Sequence, residues 1–361
     1  MLLPIALEVK KVSPAIIVAT SSTLWLGVLA GMVFSGKIIR ETGYRNTVVV
    51  GLLIGIVSFI LLPLLDWRWW AIPSVTIGFG IGLRWIANET WLYRLAPAQS
   101  RGKIIGIHET LIGMASIIGL LVIVALGASK PSAFWAAAAI IAIGIPPLFI
   151  ASTLPAVDKA SAIKHQQQSK SCKFSPAGIF LLLGYGGIVA GIGGWIEGAI
   201  VALLPVYNAG IGLNVGDTAW LLTILGLGLM IFQFPIGWLA DTKGVNWTAK
   251  LCVVTGLTGV VVAMLLGTHF FTLAIAFFLL GGISGGLLTL GIVWAIQHST
   301  GVALTNNMRQ VSITYTLLSA AGLLVAGFIV SHTNSSSLFW QQLVVIFVLT
   351  LVLYRPQKKA N

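Results

Sequence analysis

Long apolar runs separated by short polar loops make up most of the chain. Eleven runs are long enough for a membrane-spanning helix, because about 20 residues at ~1.5 Å per residue cross a hydrocarbon core of ~30 Å. The runs are continuous, which excludes a membrane β-barrel, whose strands alternate polar and apolar residues. The predicted spans are residues 14–36, 47–65, 69–93, 104–127, 133–154, 176–207, 217–239, 247–267, 270–296, 308–330 and 338–354.

The composition agrees with a protein embedded in a membrane. Hydrophobic residues make up 57% of the 361 positions and charged residues only 8%, whereas a soluble domain has roughly 25% charged residues. So few charged side chains exclude an ordinary soluble enzyme and a disordered chain. The net charge of +12 comes from basic residues spread over short loops, so we expect no nucleic-acid partner.

The sequence carries no signal for cofactor chemistry. Cys172 and Cys252 fit neither a disulfide framework nor a metal site. The sequence has no nucleotide-binding loop, and no metal cluster or nucleophile–base pair is visible beyond His108 and Glu109. We therefore expect no cofactor, no metal and no enzymatic activity.

The basic residues predict how the chain is oriented. We expect the side richer in Lys and Arg to be cytoplasmic, which places the C-terminus and the polar segment 156–175 there, in the plasma (bacterial inner) membrane. The richer side holds 15 basic residues: Lys37, Arg40, Arg45, Arg94, Arg101, Lys103, Lys159, Lys164, Lys170, Lys173, Lys243, Lys250, Arg355, Lys358 and Lys359. The opposite side holds 4: Lys10, Lys11, Arg68 and Lys130.

The two halves of the sequence repeat each other. This predicts an N-terminal helix bundle over 1–155, a cytoplasmic linker over 156–175 and a C-terminal six-helix bundle over 176–361. Repeated halves are common in secondary transporters, with the substrate site where the repeats meet. At offsets of 201 to 203 residues, Gly36, Gly43, Gly78, Gly82, Trp91 and Gly119 fall on Gly237, Gly244, Gly281, Gly285, Trp294 and Gly322.

The same alignment predicts a missing element. Pro205, at the outer end of the span 176–207, aligns with Pro4, so the counterpart of 176–200 would lie upstream of Met1. We expect the chain to lack the first helix of a 6+6 design, through a truncated start or a true eleven-span protein.

One loop carries the most specific family signal. The segment Gly237-Trp-Leu-Ala-Asp241-Thr-Lys-Gly244 resembles the loop signature of the major facilitator superfamily, with a carboxylate four residues after the first Gly. The resemblance covers nearly the whole chain. It implies an all-α, polytopic fold of two helix bundles around a central cavity, working by alternating access.

Two further segments extend this resemblance. Pro97-Ala-Gln-Ser-Arg101-Gly102 is similar to the family's turn between the fourth and fifth helices. The N-terminal copy of the loop signature, which starts at Gly36, departs from the family pattern because Arg40 stands at the usual Asp position. The fifth span lacks the Gly-Pro pair of many drug/proton antiporters in the superfamily, which makes drug efflux less expected.

Asp241 is expected to form a latch on the cytoplasmic side. By pseudo-symmetry its carboxylate should approach the start of the helix at Ile104, and a helix N-terminus favours a nearby anion by ~0.3–1 kcal/mol. Such a contact would hold that side shut until transport opens it. The alternative is a solvated charge that only assists topology. An equivalent N-terminal latch is not expected, because Arg40 would meet a helix start that carries Arg309.

Polar residues within the third and fourth spans form a second candidate group. Charges inside a membrane are costly and are usually paired or functional. One interpretation is a structural clamp, in which Arg84 or Arg101 neutralises Glu89 and Glu109. The other is a charge network for gating or proton transfer, in which a Glu or His108 exchanges a proton. Arg84, nearer the midplane and sharing a helix face with Asn88, is a candidate contact for substrate or coupling ion.

Glu197 is the candidate coupling residue. It lies in the Gly-rich segment 190–198 without a basic neighbour in its own span, about 30 Å from the cytoplasmic start of that span. Burial of a lone carboxyl group favours its neutral form, which suits proton coupling. The alternative is a hydrogen bond to a neighbouring helix. Weaker cavity candidates are Tyr185, Gln233, Trp294, Gln297 and Tyr315.

The sequence thus predicts a monomeric secondary transporter of a small solute, coupled to protons by symport or antiport. An exporter or facilitator without tight coupling is the alternative within transport. A non-transporting interaction protein with the same fold is the alternative outside it.

Overall fold

The computed structural model describes residues 3, 6–7, 10, 14–126, 130–151, 185–213, 215–267, 269–299, 301–333 and 336–354. The predicted linker 156–175 and the basic C-terminal tail lie outside these residues. The described ranges fold into helices, without a strand, and this confirms the all-α prediction.

Each predicted span corresponds to a helix. The first half contains α1 (Pro14–Thr42), α2 (Tyr44–Leu61), α3 (Ala71–Leu95), α4 (Arg101–Leu126), α5 (Pro131–Ile143) and α6 (Pro146–Ile150). The second half contains α7 (Tyr185–Gly210), α8 (Val215–Lys243), α9 (Val245–Leu266), α10 (Phe270–Gln297), α11 (Gly301–His332) and α12 (Ser337–Tyr354). Within the described residues, seven helices or helix pairs are long and apolar enough to cross a membrane.

Glycines separate consecutive helices at two corresponding points of the repeat. Gly43, between α1 and α2, has φ 82°, and Gly244, between α8 and α9, has φ 86°. A residue without a Cβ adopts this left-handed conformation at little cost, so the chain can reverse direction within one residue. The loop signature therefore ends at a turn that both halves share.

The fifth predicted span is broken near its end. Gly144 and Ile145 separate α5 from α6, and α6 begins with the pair Pro146-Pro147. Proline lacks the backbone N–H that a continuous helix needs at this point, so a new helix starts there instead. The hydrophobic pattern of 133–154 gave no sign of this break.

The chain divides into two compact units, which are described separately. Unit one contains Met1–Leu95, Ala115–Cys172 and Thr300–Arg309, and unit two contains the remaining segments Ala96–Met114, Lys173–Ser299 and Gln310–Asn361. The first part of α4 thus belongs with the second half of the chain, and the first part of α11 with the first half. α4 and α11 correspond under the sequence repeat. Each half of the chain therefore contributes the first part of the same helix to the other unit.

Helix packing in unit one depends on glycines. α3 packs against α1 and α2. A Cβ built on Gly78 would lie 2.0 Å from the backbone oxygen of Leu24, and one on Gly82 would lie 2.2 Å from that of Val28. The backbones of α1 and α3 are therefore in direct contact, as in small-residue interfaces of membrane helices. The N-terminal residues Leu3, Ala6 and Leu7 are buried in a cluster with Leu62, Trp70, Ile77, Ala133 and Phe134.

Unit two is built around α10. This helix packs against α7, α8 and α9, and most of its residues are buried. The neighbouring helices expose large apolar side chains on their outer faces, including Trp220, Val254, Leu265 and Phe347. An apolar outer surface is the expected face toward lipid.

Candidate functional site

Glu197 and Tyr315 form a hydrogen bond near the middle of unit two. The Tyr315 hydroxyl on α11 donates to Oε2 of Glu197 on α7, and both side chains are half-buried. The Glu109 carboxylate on α4 also acts electrostatically on Tyr315. His108 Nδ1 lies 3.2 Å from Glu109 Oε1. We term these two pairs, Glu197 with Tyr315 and His108 with Glu109, the Glu197–Tyr315 cluster.

Glycines allow α7 and α11 to approach closely enough for this bond. A Cβ on Gly194 would lie 2.3 Å from the backbone oxygen of Tyr315, and one on Gly198 would lie 2.1 Å from that of Ser319. From the other side, a Cβ on Gly322 would lie 2.6 Å from the oxygen of Trp195. The Gly-rich sequence around Glu197 therefore fits the helix crossing that positions its carboxyl group.

The register of α7 against α10 gives the depth of Glu197. A Cβ on Gly193 would lie 2.5 Å from the backbone oxygen of Ser284, the midpoint of α10. Glu197 is four residues further along α7, about 6 Å beyond that midpoint and about 25 Å from the Gln297 end of α10. This position lies in the half of the bundle that the loop charges predict to be external.

Asp241 caps the start of α4. Its Oδ1 accepts a hydrogen bond of 2.9 Å from the Gly102 N–H, and its Oδ2 accepts one of 2.8 Å from the Lys103 N–H. These N–H groups belong to the first turn of α4, where they lack partners within the helix. The Asp241 carboxylate therefore joins the end of α8 to the start of α4.

Arg101 adds a second contact beside the Asp241 latch. Its Nη1 donates to the Ile296 backbone oxygen at 3.5 Å, and its Nε donates to the Ala96 oxygen at 3.4 Å. Ile296 is in the last turn of α10, where a cation is favoured by the helix dipole. The backbones also touch, since a Cβ on Gly237 would lie 2.1 Å from the Gly102 oxygen. Residues 101–103 thus connect the start of α4 to the ends of α8 and α10.

Arg84 and Glu89 lie in unit one. Arg84 is close to the middle of α3, its side chain is exposed, and it packs beside Gly51 of α2. Among the described residues Arg84 makes no ion pair, so the clamp between Arg84 and Glu89 is not formed. Glu89 is buried and accepts a hydrogen bond from Nε1 of Trp85, one turn earlier. Asn88, one turn after Arg84, is half-buried.

Several cavity candidates lie away from the Glu197–Tyr315 cluster. Trp294 is in the last turn of α10 and stacks on His298 with ring centroids 4.6 Å apart. Gln297, the last residue of α10, is exposed. Trp294 and Gln297 lie about 21 Å and about 25 Å along α10 from the level of Glu197. Gln233 is buried and accepts a hydrogen bond of 3.1 Å from Thr289, which joins α8 to α10. Tyr185 donates to Asn246 Oδ1 at 2.7 Å.

Known proteins identify the family to which this arrangement belongs. The sequence profile of the Major Facilitator Superfamily matches residues 1–216 and 183–361, which together span the chain. The chain belongs to the major facilitator superfamily. It is therefore a membrane transporter, as the loop signature around Asp241 predicts.

Individual members of the superfamily are similar over most of their length. YfkF of Bacillus subtilis (strain 168), an uncharacterized MFS-type transporter, is 26% identical over 347 residues, which cover 94% of this chain and 87% of that protein. The proton:xylose symporter XylE matches with a TM-score of 0.71 at 12% identity, covering 94% of this chain and 86% of that one. The human organic anion transporter MFSD10 matches with a TM-score of 0.72 at 14% identity, covering 92% and 82%. The two structures show a shared fold.

The end of α1 in unit one, which corresponds in the repeat to the end of α8, departs from the superfamily pattern. Where the loop signature has a carboxylate, this chain has Arg40, which lies near Arg309 of α11. Arg309 donates from Nη1 to the Val33 backbone oxygen at 3.3 Å. Nearby, the hydroxyl groups of Tyr44 and Thr305 are 2.9 Å apart. Arg40 and Arg309 are both cations, so neither supplies a carboxylate at this position.

Sequence reasoning ranked Tyr315 as a weak candidate and did not find the bond between Arg101 and Ile296. Tyr315 is 118 residues from Glu197, and a lone tyrosine in an apolar span is usually part of the packing. The Gly-rich segment of α7 indicates that another helix packs closely against it, and this signal could have identified Tyr315. Among the described residues, no group of His, Cys, Asp or Glu could hold a metal ion.

Proposed function

We propose that this chain is a proton-coupled secondary transporter of a small solute, working by alternating access. The observation that carries the proposal is the hydrogen bond from Tyr315 to Glu197. A carboxyl group inside a membrane protein is costly unless it is neutralised or hydrogen-bonded, and such groups mark proton pathways. Here it lies in a superfamily transporter, on a helix whose glycines pack against the backbone of α11.

The Glu197–Tyr315 cluster offers a route between proton binding and the latch. Protonation of Glu197 removes the negative charge that accepts the Tyr315 hydrogen bond, which frees the phenol to turn toward Glu109. Glu109 and His108 are on α4, and Gly102 at the start of α4 is bound by Asp241. Glu109 is seven residues, about 10 Å, from Gly102 along the same helix. A new hydrogen bond from Tyr315 to Glu109 would therefore act on the helix that the Asp241 latch holds.

The Asp241 latch is the proposed gate on the predicted cytoplasmic side. Its two hydrogen bonds join helices from different halves of the sequence, α8 and α4, so opening that side must break them. Arg101, which reaches the end of α10, would be released in the same step.

Arg84 is the proposed contact for an anionic group of the solute. It is central in α3, exposed, and without an ion pair among the described residues. A guanidinium group can bind a carboxylate or phosphate through two parallel hydrogen bonds. We further propose that the protein lies in a bacterial inner membrane with its C-terminus in the cytoplasm. The proton:xylose symporter XylE shows that this fold can support coupling to protons.

Reconstitution into liposomes tests this function. The purified protein is given an imposed pH gradient and a panel of small solutes, and both solute uptake and proton movement are measured. We expect solute-dependent proton flux for at least one solute. Glu197→Gln mimics the protonated carboxyl group, so it should abolish proton-driven accumulation and retain exchange of solute at equal concentrations.

The matched control is Glu41→Gln, the same change at an exposed position at the end of α1. This variant should accumulate solute as the parent does. Accumulation by Glu197→Gln at the parental level would remove Glu197 from the coupling step. Solute movement that is independent of the pH gradient would indicate a facilitator, and no movement of any solute would indicate an interaction protein.

A further inference from the structure

Two arginine side chains converge on one point of α1. A Cβ built on Gly36 would lie 2.8 Å from Nη1 of Arg309 and 3.9 Å from Nη1 of Arg40. The two nitrogens therefore lie within about 6.7 Å of each other, the sum of those distances. The Arg40 charge also acts on Arg309, so the pair repels.

The donors of this pair are largely unused. Arg309 makes one hydrogen bond among the described residues, to the Val33 backbone oxygen, and Arg40 makes none. A guanidinium group has five N–H donors. Two neighbouring guanidinium groups beside α1 thus have N–H donors that are available to a ligand.

The surroundings add positive charge and offer little to neutralise it. Lys37 is exposed one turn before the end of α1, and Arg94 is held nearby by the Tyr44 hydroxyl at 3.1 Å. Glu41, next to Arg40, is exposed and forms no ion pair among the described residues. The carboxylate nearest in sequence therefore does not bridge the two arginines.

The repeat shows what is missing at this position. Arg40 corresponds to Asp241, whose carboxylate binds the first N–H groups of α4 in unit two. In unit one the corresponding helix is α11, which carries Arg309. The residue that would supply a negative charge is replaced by a positive one, so an external anion can complete the contact.

We propose that a phosphate group binds between Arg40 and Arg309 and joins α11 to α1. Charge-assisted hydrogen bonds from guanidinium to phosphate oxygens are ~2.7–2.9 Å long, so one phosphate group can reach both side chains across their separation. The planar fork of arginine suits this geometry better than an ammonium group does.

A phospholipid headgroup or a free phosphate ion can supply this group. Val33 and Phe34, about two turns deeper on α1, are exposed and apolar. Val33 is seven residues before Arg40 and therefore on the same face of α1, so this apolar surface suits an acyl chain. Anionic lipids are also enriched in cytoplasmic leaflets, the side that the loop charges predict for the end of α1.

Thermal unfolding of the full chain in detergent tests the proposal. The probes are phosphatidylglycerol, phosphatidylcholine, and inorganic phosphate with sodium chloride of equal ionic strength as its control. We expect phosphatidylglycerol to raise the unfolding temperature more than phosphatidylcholine does. In Arg40→Ala and in Arg309→Ala the apparent affinity should fall about tenfold or more, the loss expected for a charge-assisted hydrogen bond. Lys37→Ala, an exposed neighbour on α1, should retain most of the effect.

Arg40→Asp provides a readout that does not depend on loss of stability. This change restores a carboxylate opposite Arg309, so the variant should be more stable than the parent without lipid and should no longer respond to phosphatidylglycerol. A response to inorganic phosphate alone would identify the free ion as the source. Equal responses of Arg40→Ala and the parent to both phosphate compounds, or no response of the parent, would overturn the proposal.

Discussion

At the scale of single residues, the Asp241 carboxylate has a role that no uncharged side chain can reproduce. Each of its oxygens accepts from a different backbone N–H at the start of α4. An amide of the same size has one oxygen, so it can satisfy one of the two donors and carries no charge to match the helix dipole.

Asp241→Asn should therefore reduce transport strongly while the protein still folds. Loss of one charge-assisted hydrogen bond weakens the closed gate by ~1.5–3 kcal/mol, and we expect transport to fall about tenfold or more. Uptake into liposomes and the yield of folded protein are measured together. Lys243→Gln, an exposed charge at the end of the same helix, is the matched control. Parental transport in Asp241→Asn would show that Asp241 serves only topology.

The predictions at this scale were accurate where a motif fixes a position and incomplete where two distant side chains meet. The loop signature placed Asp241 at the start of α4, because family geometry fixes both elements. The sequence could not place Tyr315 beside Glu197, because the register of α7 against α11 depends on which glycines contact the neighbouring helix. Trp294 and Gln297 are weaker cavity candidates from the sequence, and the structure places them in the last turn of α10.

At the scale of helices, the contact of α7 with α11 depends on the absence of Cβ atoms. Gly194 and Gly198 face backbone oxygens of α11, at distances that a methyl group could not occupy. Backbone atoms cannot move aside as the end of a flexible side chain can. Any larger residue at these positions must separate the two helices, and with them Glu197 and Tyr315.

Gly194→Ala should thus lower both stability and proton coupling. Overpacking of this kind costs ~1–3 kcal/mol, and the atom in the way belongs to Tyr315 itself. Thermal unfolding and proton-driven uptake are the measurements. Gly327→Ala is the control, because Gly327 is on α11 and a Cβ there meets no atom within 4 Å. If both variants behave as the parent does, the close contact is not required for coupling.

Helix positions were predicted well from the hydrophobic pattern, and helix ends were predicted less well. Spans were defined by where apolar residues end, whereas α1 continues to Thr42 and α8 to Lys243 through polar residues. These polar last turns lie directly before the turns at Gly43 and Gly244. Hydropathy detects the membrane core, and capping and turn residues decide where a helix stops.

At the scale of the whole molecule, the repeat relates the two halves in fold but not in charge. Corresponding positions carry Asp241 in one half and Arg40 in the other, while the glycines that flank them are the same. The backbone arrangement is therefore common to both halves, and the contacts at the ends of the helices differ.

The orientation can be checked by labelling from one side of the membrane. In a background of Cys172→Ser and Cys252→Ala, Lys130→Cys and Lys243→Cys place single thiols at exposed loop positions. If the positive side is cytoplasmic, a membrane-impermeant maleimide added to intact cells should label Lys130→Cys and leave Lys243→Cys unmodified. Both should react after the membrane is opened. The reverse pattern would invert the predicted topology.

The central position of α10 bears on how the protein is made. Its packing partners α7, α8 and α9 all precede it in the chain, and in unit one α3 likewise follows its partners α1 and α2. Because synthesis proceeds from the N-terminus and domains fold as units as they emerge, each central helix enters the membrane when its neighbours are already there. α10 and α3 are therefore each synthesised after the helices that they pack against.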